Sequence, residues 1–256
     1  MSAKPGQASS TAGGPERPDR EGLAQAAEDL SGESSEAILR WAVEVYHPRL
    51  AVVSNFGPGT VALIHQLSEV CADVPVVHID TGFEFAETEE LGKQLVERYG
   101  IVLKHVRPDL TVEQQAAQYG EKLYARDPNY CCYMRKVLPL AKGLAGFDAW
   151  VTGIRASQTA ERGQAKTVEW DSRHDKVKVN PLLSWTSEQV WDFIREHEIP
   201  YNSLHDRGYA SIGCWPCTRA VKDDEPERAG RWSAFGKTEC GLHVPHDSSV
   251  VTNRKG

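Results

Sequence analysis

The chain has 256 residues, of which 40% are hydrophobic, and a formal net charge of −7 at pH 7, which predicts one large domain, or one domain with appendages. The acidic balance gives no general attraction to nucleic acid or to an anionic membrane, so an anionic substrate would need a local basic cluster. The sequence has neither an apolar run of transmembrane length nor a signal-peptide core, which predicts a cytoplasmic protein with no membrane or nucleic-acid partner.

In chain order, the pattern predicts an α/β fold behind a disordered tail. Residues 1–30 are rich in Ala, Gly, Ser, Pro and charge, which is typical of disorder. Apolar runs predict strands at 50–53, 74–79, 101–106, 149–152 and 176–179, and amphipathic runs predict helices at 35–46, 60–70, 87–99 and 187–198. This alternation predicts a mostly parallel twisted sheet with helices on both faces over 31–217, and a mobile C-terminal segment over 218–256.

Three loops follow the carboxyl ends of predicted strands, where ligands bind in such folds. The loop at 54–60 is rich in glycine and precedes a helix, so it is either a phosphate-binding turn or an ordinary tight turn. The loop that begins at Asp80 offers carboxylates and hydroxyls to a nucleotide, unless they only favour a helix N-terminus. Arg155 and Arg162 follow the fourth strand and are candidate anion clamps or solvated surface residues.

Five of the six cysteines fall into three groups: Cys131 with Cys132, Cys214 with Cys217, and Cys240 alone. In a reducing compartment, cysteine pairs favour metal or redox roles over structural disulfides. Zinc would suit four thiols, but adjacent cysteines diverge and do not converge readily on one small ion. A 4Fe–4S cluster is therefore favoured over zinc, because its iron corners are separate. The sixth cysteine, Cys71, has no partner pattern and is predicted to be a small packed hydrophobic residue.

Cys240 lies near the C-terminus between glycines that would allow the segment to move. Lys237 and His243 would favour its thiolate, which is the reactive form, whereas Glu239 would oppose it. Taken alone, this segment leaves open whether Cys240 is a nucleophile or an unimportant exposed cysteine.

Five motifs taken together resemble the assimilatory adenylylsulfate reductases. They are CC-x-x-RK-x-x-PL at 131–140, GIR-x-x-Q-x-x-x-R at 153–162, GC-x-x-CT at 213–218, R-x-G-R-W at 228–232 and K-x-ECGLH at 237–243. These enzymes belong to the sulfonucleotide reductases, within the adenine nucleotide α-hydrolase-like folds. The resemblance covers about residues 35–243, and the combination is far more specific than any single loop.

The resemblance implies a role for each matching residue. A 4Fe–4S cluster would be held by Cys131, Cys132, Cys214 and Cys217, and Cys240 would be the nucleophile. The phosphate and sulfate of the substrate would be contacted by Lys136, Arg155, Arg228 and Arg231, with His243 near the reacting thiol. The nucleotide pocket would be lined by Ser54, Phe56, Gly57, Asp80, Thr81 and Gly82.

The resemblance also implies the reaction, a thioredoxin-dependent reduction of adenosine 5′-phosphosulfate to sulfite and AMP through an S-sulfocysteine, as a step of sulfate assimilation toward cysteine. Thioredoxin or a similar dithiol would be the partner, and a homo-oligomer is left open. Two departures from the family pattern concern the 54–60 loop, where an S-F-G turn is more common, and 233–235, where further tryptophans are common.

Three alternatives stay open. The first is the 3′-phosphorylated nucleotide as substrate, although enzymes that prefer it usually lack the four cysteines of the pairs. The second is an ATP-dependent thiolation enzyme of the PP-loop class, whose S-G-G-x-D-S loop this sequence lacks. The third is an iron–sulfur redox sensor that binds a nucleotide, against which the acidic balance and the ECGLH segment both weigh.

Overall fold

The computed structural model describes residues 17–237 and 239–243, and these contain one six-stranded sheet. The strands are β1 (Leu50–Ser54), β2 (Val76–Ile79), β3 (Leu103–Val106), β4 (Ala149–Val151), β5 (Val168–Asp171) and β6 (Lys176–Val179). Their order across the sheet is β3-β2-β1-β4-β6-β5, and every pairing is parallel except that of β5 with β6. This is the mostly parallel sheet that the sequence predicts.

The helices cover both faces of the sheet and begin where the sequence supplies capping groups. They are α1 (Arg20–Asp29), α2 (Ser35–Tyr46), α3 (Pro58–Val70), α4 (Ala86–Tyr99), α5 (Val112–Tyr119), α6 (Leu123–Arg126), α7 (Pro128–Cys132), α8 (Leu138–Gly143) and α9 (Ser187–Glu196). Thr186 and Gln189 form the predicted capping box of α9, in which each side chain bonds the other residue's backbone N–H. Over the described residues, no helix combines the length and apolar character that crossing a membrane requires.

Alternate residues of β1 divide the core into two layers. Leu50 and Val52 are fully buried against α2 and α3, in a cluster that also includes residues of α1, α4 and α9. Ala51 faces the opposite layer, where it packs with Leu140 of α8 and with Trp150 of β4. Successive side chains of a strand point to opposite faces, so a continuous apolar run is what a sheet covered on both sides requires.

The N-terminal prediction needs one correction. Residues 20–29 form α1 rather than part of a disordered tail, because Leu23 and Ala27 lie on one face of this helix and are buried in the core. The side chain of Asp19 caps the helix by accepting a hydrogen bond from the N–H of Gly22 at 2.9 Å. The predicted disorder of 1–16 and the end of the predicted mobile segment, 244–256, lie outside the described residues.

Cys71 packs partly against the core, as predicted, at the end of α3. Its thiol also donates a hydrogen bond to Asp73 Oδ1 at 3.0 Å. Burial and this carboxylate together raise the pKa of Cys71 to about 11. The thiol is therefore protonated at neutral pH, in keeping with a structural role.

Candidate active site

A cleft with about 1060 Å³ of empty space lies beyond the carboxyl ends of β1, β2 and β4. Ser54, Thr81 and Gly153 line it at the three strand ends, and Cys240 and His243 line it from the C-terminal segment. The cleft therefore lies where a ligand is expected in a parallel sheet of this kind.

Two glycines allow the loops after β1 and β4 to touch at the floor of this cleft. A side chain at Gly59 would place its Cβ 2.4 Å from the carbonyl oxygen of Gly153, and one at Gly153 would lie 2.7 Å from the backbone nitrogen of Thr60. Such contacts are prohibitive, so both positions need glycine. Pro58 is the first residue of α3, where a backbone N–H has no partner in the helix anyway.

The cleft concentrates positive charge in an acidic chain. Its lining includes five cationic side chains, all of them from predicted motifs: Lys136, Arg155, Arg162, Arg228 and Arg231. Arg155 is 2% exposed, Arg231 is 6% exposed and Lys136 is 9% exposed, so these are not solvated surface residues. Buried cations need anionic partners. The local basic cluster that an anionic substrate would require is therefore present.

Several buried donors in the cleft lack a protein acceptor. Among the described residues, these include Arg155 Nε, Arg231 Nε and Trp232 Nε1, all on side chains that line the cleft. An unpaired buried donor costs free energy, and a bound ligand that accepts a hydrogen bond removes that cost. The unpaired donors point to an anion as the ligand of this cleft.

Two glutamates from the C-terminal part of the chain pair with the cleft arginines. Glu227 accepts a hydrogen bond from Arg155 Nη2 at 2.6 Å. Glu239 accepts from Arg162 Nε at 2.7 Å and from Arg162 Nη2 at 3.0 Å, which makes a two-point ion pair. Burial raises the pKa of Glu239, but Arg162 and Arg228 outweigh it and hold that pKa below its usual value. The negative charge of the carboxylate that precedes Cys240 is thus balanced by these arginines.

All four paired cysteines line a second, mostly apolar cavity with about 320 Å³ of empty space. Cys131 and Cys132 end α7, while Cys214 precedes a short 3₁₀ turn that ends at Cys217. Burial, followed by the neighbouring thiols, raises the pKa of Cys131 to about 12 and that of Cys217 to about 11. The structure therefore brings the two predicted pairs together at one place.

The spacing of these thiols differs from that of a single-ion site. Among the described residues, one group of three ligand atoms lies within 4.8 Å of one another, His47 with Cys71 and Asp73, and the four paired cysteines form no such group. Tetrahedral zinc would hold its sulfur atoms about 3.8 Å apart, from a zinc–sulfur distance of about 2.3 Å. The four sulfur atoms are therefore not gathered as they would be around one zinc ion.

Lys136 and Trp232 line both cavities, so they stand between the four cysteines and the cleft. Lys136 belongs to a π-helical segment (Tyr133–Val137), a rare local widening that occurs often at functional sites. Burial lowers the pKa of Lys136, but negative charge on the sulfurs of Cys214, Cys132 and Cys240 raises it above its usual value. The ammonium group is therefore held charged. Its nitrogen lies 5.9 Å from the ring centre of Trp232.

The described end of the C-terminal segment is held against the sheet domain. Arg173 donates a hydrogen bond to the carbonyl oxygen of Gly241 at 2.8 Å, and Leu242 packs against the apolar layer under α8. The ring of His243 stacks on Trp150, with centroids 5.9 Å apart. Cys240 is half-buried between these contacts and Glu239. The described end of the segment predicted to move thus lies against the sheet domain, with its thiol at the cleft.

Three predicted pocket residues, Phe56, Asp80 and Gly82, do not line the cleft. Phe56 is 3% exposed and stacks on His78, because its backbone φ of 54° turns the ring into the core. Asp80 accepts hydrogen bonds from Arg107 and from the N–H of Gly82, so it shapes its own loop. The other predicted substrate residues, Ser54, Gly57, Thr81, Lys136, Arg155, Arg228, Arg231 and His243, all line the cleft.

Sequence reasoning missed the roles of Glu227 and Trp232. It named Arg162 as a candidate anion clamp, but the family resemblance then gave that residue no role. Trp232 lies beneath three cations, with the nearest guanidinium carbon, that of Arg231, 4.5 Å from its ring centre. Aromatic rings attract cations, so Trp232 helps to gather them. Its place in the R-x-G-R-W motif was the signal available in the sequence.

Residues 49–220 match the model of the phosphoadenosine phosphosulfate reductase domain. The adenosine 5′-phosphosulfate reductase of Halalkalibacterium halodurans is 46% identical over 215 residues, which cover 84% of this chain and 93% of that protein. The adenosine 5′-phosphosulfate reductase of Bacillus velezensis is 43% identical over 219 residues, covering 84% of this chain and 93% of that protein.

Solved structures agree on the fold. The phosphoadenylyl-sulfate reductase of Candida auris, in a phosphate complex, superposes with a TM-score of 0.70 at 28% identity and covers 79% of this chain and 98% of that one. The FMN adenylyltransferase of Candida glabrata has a TM-score of 0.53 at 16% identity, covering 89% of this chain and 78% of that one, and so shares the fold alone. The predicted α/β fold is confirmed.

Proposed function

The chain belongs to the phosphoadenosine phosphosulfate reductase family, and from that premise we propose that it reduces adenosine 5′-phosphosulfate to sulfite and AMP, with Cys240 as the nucleophile. It is an oxidoreductase, and the relatives reported above make sulfate assimilation its setting. One observation carries the proposal: a half-buried thiol faces a cleft that is lined by buried cations with unpaired donors. Such a cleft suits a substrate that joins a phosphate to a sulfate.

The first step of the proposed mechanism is an attack by the Cys240 thiolate on the sulfate sulfur of the bound nucleotide. A sulfur–sulfur bond forms while the bond from that sulfur to the bridging oxygen breaks, and AMP leaves with the electron pair. Arg155, Arg231 and Lys136 would stabilise the negative charge that develops on the leaving phosphate. Preformed donors in a site that excludes water are effective in this role, because they need no reorganisation during the reaction.

The second step needs a dithiol reductant, for which we propose thioredoxin. One of its thiolates attacks the Cys240 sulfur, and sulfite leaves with the electron pair. The second thiol of the reductant then closes a disulfide and restores Cys240. The two electrons that reduce the sulfate sulfur to sulfite therefore come from the dithiol. This step requires the segment at 239–243 to open, because Cys240 faces the cleft when the segment is closed.

We further propose that the cavity between the two cysteine pairs holds a 4Fe–4S cluster, with Cys131, Cys132, Cys214 and Cys217 as its ligands. All four thiols line that cavity, and their spread favours a group larger than one zinc ion. When bound, the cluster would supply a negative charge next to Lys136, which also lines the substrate cleft. The chain's own contribution is the placement of that lysine between the two cavities.

A sulfite-release assay tests this function directly. Enzyme purified without oxygen, given thioredoxin, should release sulfite from adenosine 5′-phosphosulfate faster than from the 3′-phosphorylated nucleotide. Equal rates would mean that the cleft does not discriminate, and a preference for the 3′-phosphorylated nucleotide would reassign the substrate. No sulfite from either nucleotide would refute the reaction. Cytoplasmic location stays a prediction, and a homo-oligomeric state stays open.

A further inference from the structure

Arg162 joins the sheet domain to the segment that carries Cys240. It belongs to a short 3₁₀ turn after β4, whereas Glu239 directly precedes the thiol. Their side chains form a two-point contact with N–O distances of 2.7 Å and 3.0 Å. The two side chains are 9% and 4% exposed. The ion pair therefore has good hydrogen-bond distances and is almost inaccessible to solvent.

The surroundings of the pair support the closed position of Glu239. Thr159 donates a hydrogen bond to Glu239 Oε1 at 3.2 Å, and Arg228 Nη2 lies 3.5 Å from Glu239 Oε2. Gln158 accepts a hydrogen bond from Arg162 on the other side of the guanidinium. Each carboxylate oxygen of Glu239 therefore has two donors within reach. The arginine is in turn fixed by a neighbour on its own loop.

We propose that the Arg162–Glu239 pair is the latch that closes the catalytic segment, so that both are positioning residues for the Cys240 thiol. This rests on the proposed function in one respect, the role of Cys240 as nucleophile. The contacts at 241–243 are a backbone carbonyl, an apolar residue and a stacked ring, none of which carries a formal charge pair. Among residues 239–243, Glu239 supplies the ion pair with the sheet domain, while Lys237 of the same tail donates a hydrogen bond to Asn129 Oδ1 at 2.6 Å.

The latch explains how one segment can serve both half-reactions. Closed, it would hold Cys240 at the cleft for attack on the substrate. Because the pair is ionic, opening breaks a buried contact between two charges but lets water hydrate both of them. The hydration offsets much of the lost attraction, so the free-energy difference between the closed and open forms stays small. Removing only one partner is different: it leaves the other charge buried in the closed form, so the equilibrium shifts toward the open form.

Hydrogen exchange of the segment tests the latch without substrate. In the substrate-free holoenzyme, Glu239→Gln should speed amide exchange in the peptide around Cys240 by about tenfold or more. Exchange within β1 should stay at the wild-type rate, which shows that the sheet domain is intact. The control is Glu225→Gln, because Glu225 forms a two-point pair with Arg219 at 2.7 Å and 2.9 Å, outside residues 239–243 and more exposed to solvent. It should leave exchange around Cys240 unchanged.

A double-variant cycle then tests whether the two residues act as one pair. Arg162→Met should speed exchange as Glu239→Gln does, and combining both should add little, since each single change already breaks the pair. Wild-type exchange in Glu239→Gln would overturn the latch, as would effects that multiply in the double variant. Should Arg162→Met fail to fold, the exchange rate of Glu239→Gln alone still tests the latch, because Glu239 lies on the tail and not in the sheet domain.

Activity distinguishes the latch from the proposed function. Glu239→Gln should slow transfer of labelled sulfur from adenosine 5′-phosphosulfate to Cys240 in a single turnover, while its affinity for AMP stays within about threefold of wild type. Slow transfer with a matching loss of AMP affinity would make Glu239 part of the binding site and overturn the positioning role. If the wild-type enzyme transfers no label, the proposed function fails, whereas the exchange results still judge the latch.

Discussion

At the scale of single residues, Lys136 connects the two cavities of the molecule. It is 9% exposed and lines both cavities, and negative charge on the cysteine sulfurs around it raises its pKa. A cation in that place can respond to charge on either side. Lys136 thereby lies next to both the cleft and the cysteine cavity.

Replacing Lys136 with Met should lower the rate of sulfite release by about 100-fold, since loss of one donor to a developing anion has costs of that order. Steady-state assays with adenosine 5′-phosphosulfate measure it. The control is Lys142→Met, because Lys142 is exposed on α8 and pairs with Asp109 on the surface. Equal activity of the two variants would remove Lys136 from the mechanism.

His243 should make closure of the segment sensitive to acid. Burial, reinforced by the charges of Arg162, Lys178, Arg228 and His174, lowers its pKa well below the usual value. In the open form the imidazole regains a pKa near 6.5. The open form then binds more protons, so the closed form is fully favoured above about pH 6.5 and loses that advantage as pH falls below it.

We therefore expect the protection of the tail amides, corrected for intrinsic exchange rates, to fall by up to about tenfold from pH 6.5 to pH 5.5. Uptake of one proton can change the equilibrium between the closed and open forms by no more than this per pH unit. His243→Gln lacks the titrating group and should show a flat profile over the same range. A parallel fall in the variant would mean that another group controls the opening.

A motif in the sequence locates a residue near the site but does not show where its side chain points. The four cysteines were predictable, because two close pairs have few uses other than a shared ligand, and they do line one cavity. Phe56 and Asp80 were named from their positions in motifs. A φ of 54° turns the first into the core, and Arg107 holds the second in its own loop. Neither contact leaves a local signal in the sequence.

At the scale of elements, α1 shows how tertiary packing overrides composition. The helix lies against β5, with Leu23 4% exposed in the main core. Leu23→Ala should lower the free energy of unfolding by about 2 kcal/mol, at the low end for buried leucines, because a terminal helix can relax. Urea unfolding measures it. Gln25→Ala, on the exposed side of α1, is the control. Equal free energies of unfolding for the two variants would contradict the packing of Leu23 and would support the predicted disorder of residues 20–29.

The regular elements were predictable wherever the apolar period was clear. β1 and α2 match their predicted ranges to within a residue, because continuous and helical apolar patterns mark them. The run from α5 to α8 was not predicted: its helices are short, and a π-helical segment (Tyr133–Val137) breaks the 3.6-residue period. β5 was missed because Val168 is its only buried residue.

At the scale of the whole molecule, the fold places a basic cleft in an acidic chain. The net charge is −7, yet five cations line the space beyond the sheet. They come from the π-helical segment, the loop after β4 and the C-terminal part of the chain, which meet only in the folded protein. Composition alone therefore gives no sign of the substrate's charge. The C-terminal segment lines this cleft and brings to it the thiol that we propose as the nucleophile.

Covalent labelling of the protein tests that claim most directly. Enzyme purified without oxygen should be mixed with adenosine 5′-phosphosulfate carrying labelled sulfur, with no reductant present. We expect label on the peptide that contains Cys240, its release as sulfite when thioredoxin is added, and no label on Cys240→Ser, with the visible absorbance of the variant unchanged. An unlabelled wild-type enzyme, or a labelled Cys240→Ser variant, would contradict the account, and loss of the absorbance in that variant would make Cys240 a cluster ligand instead.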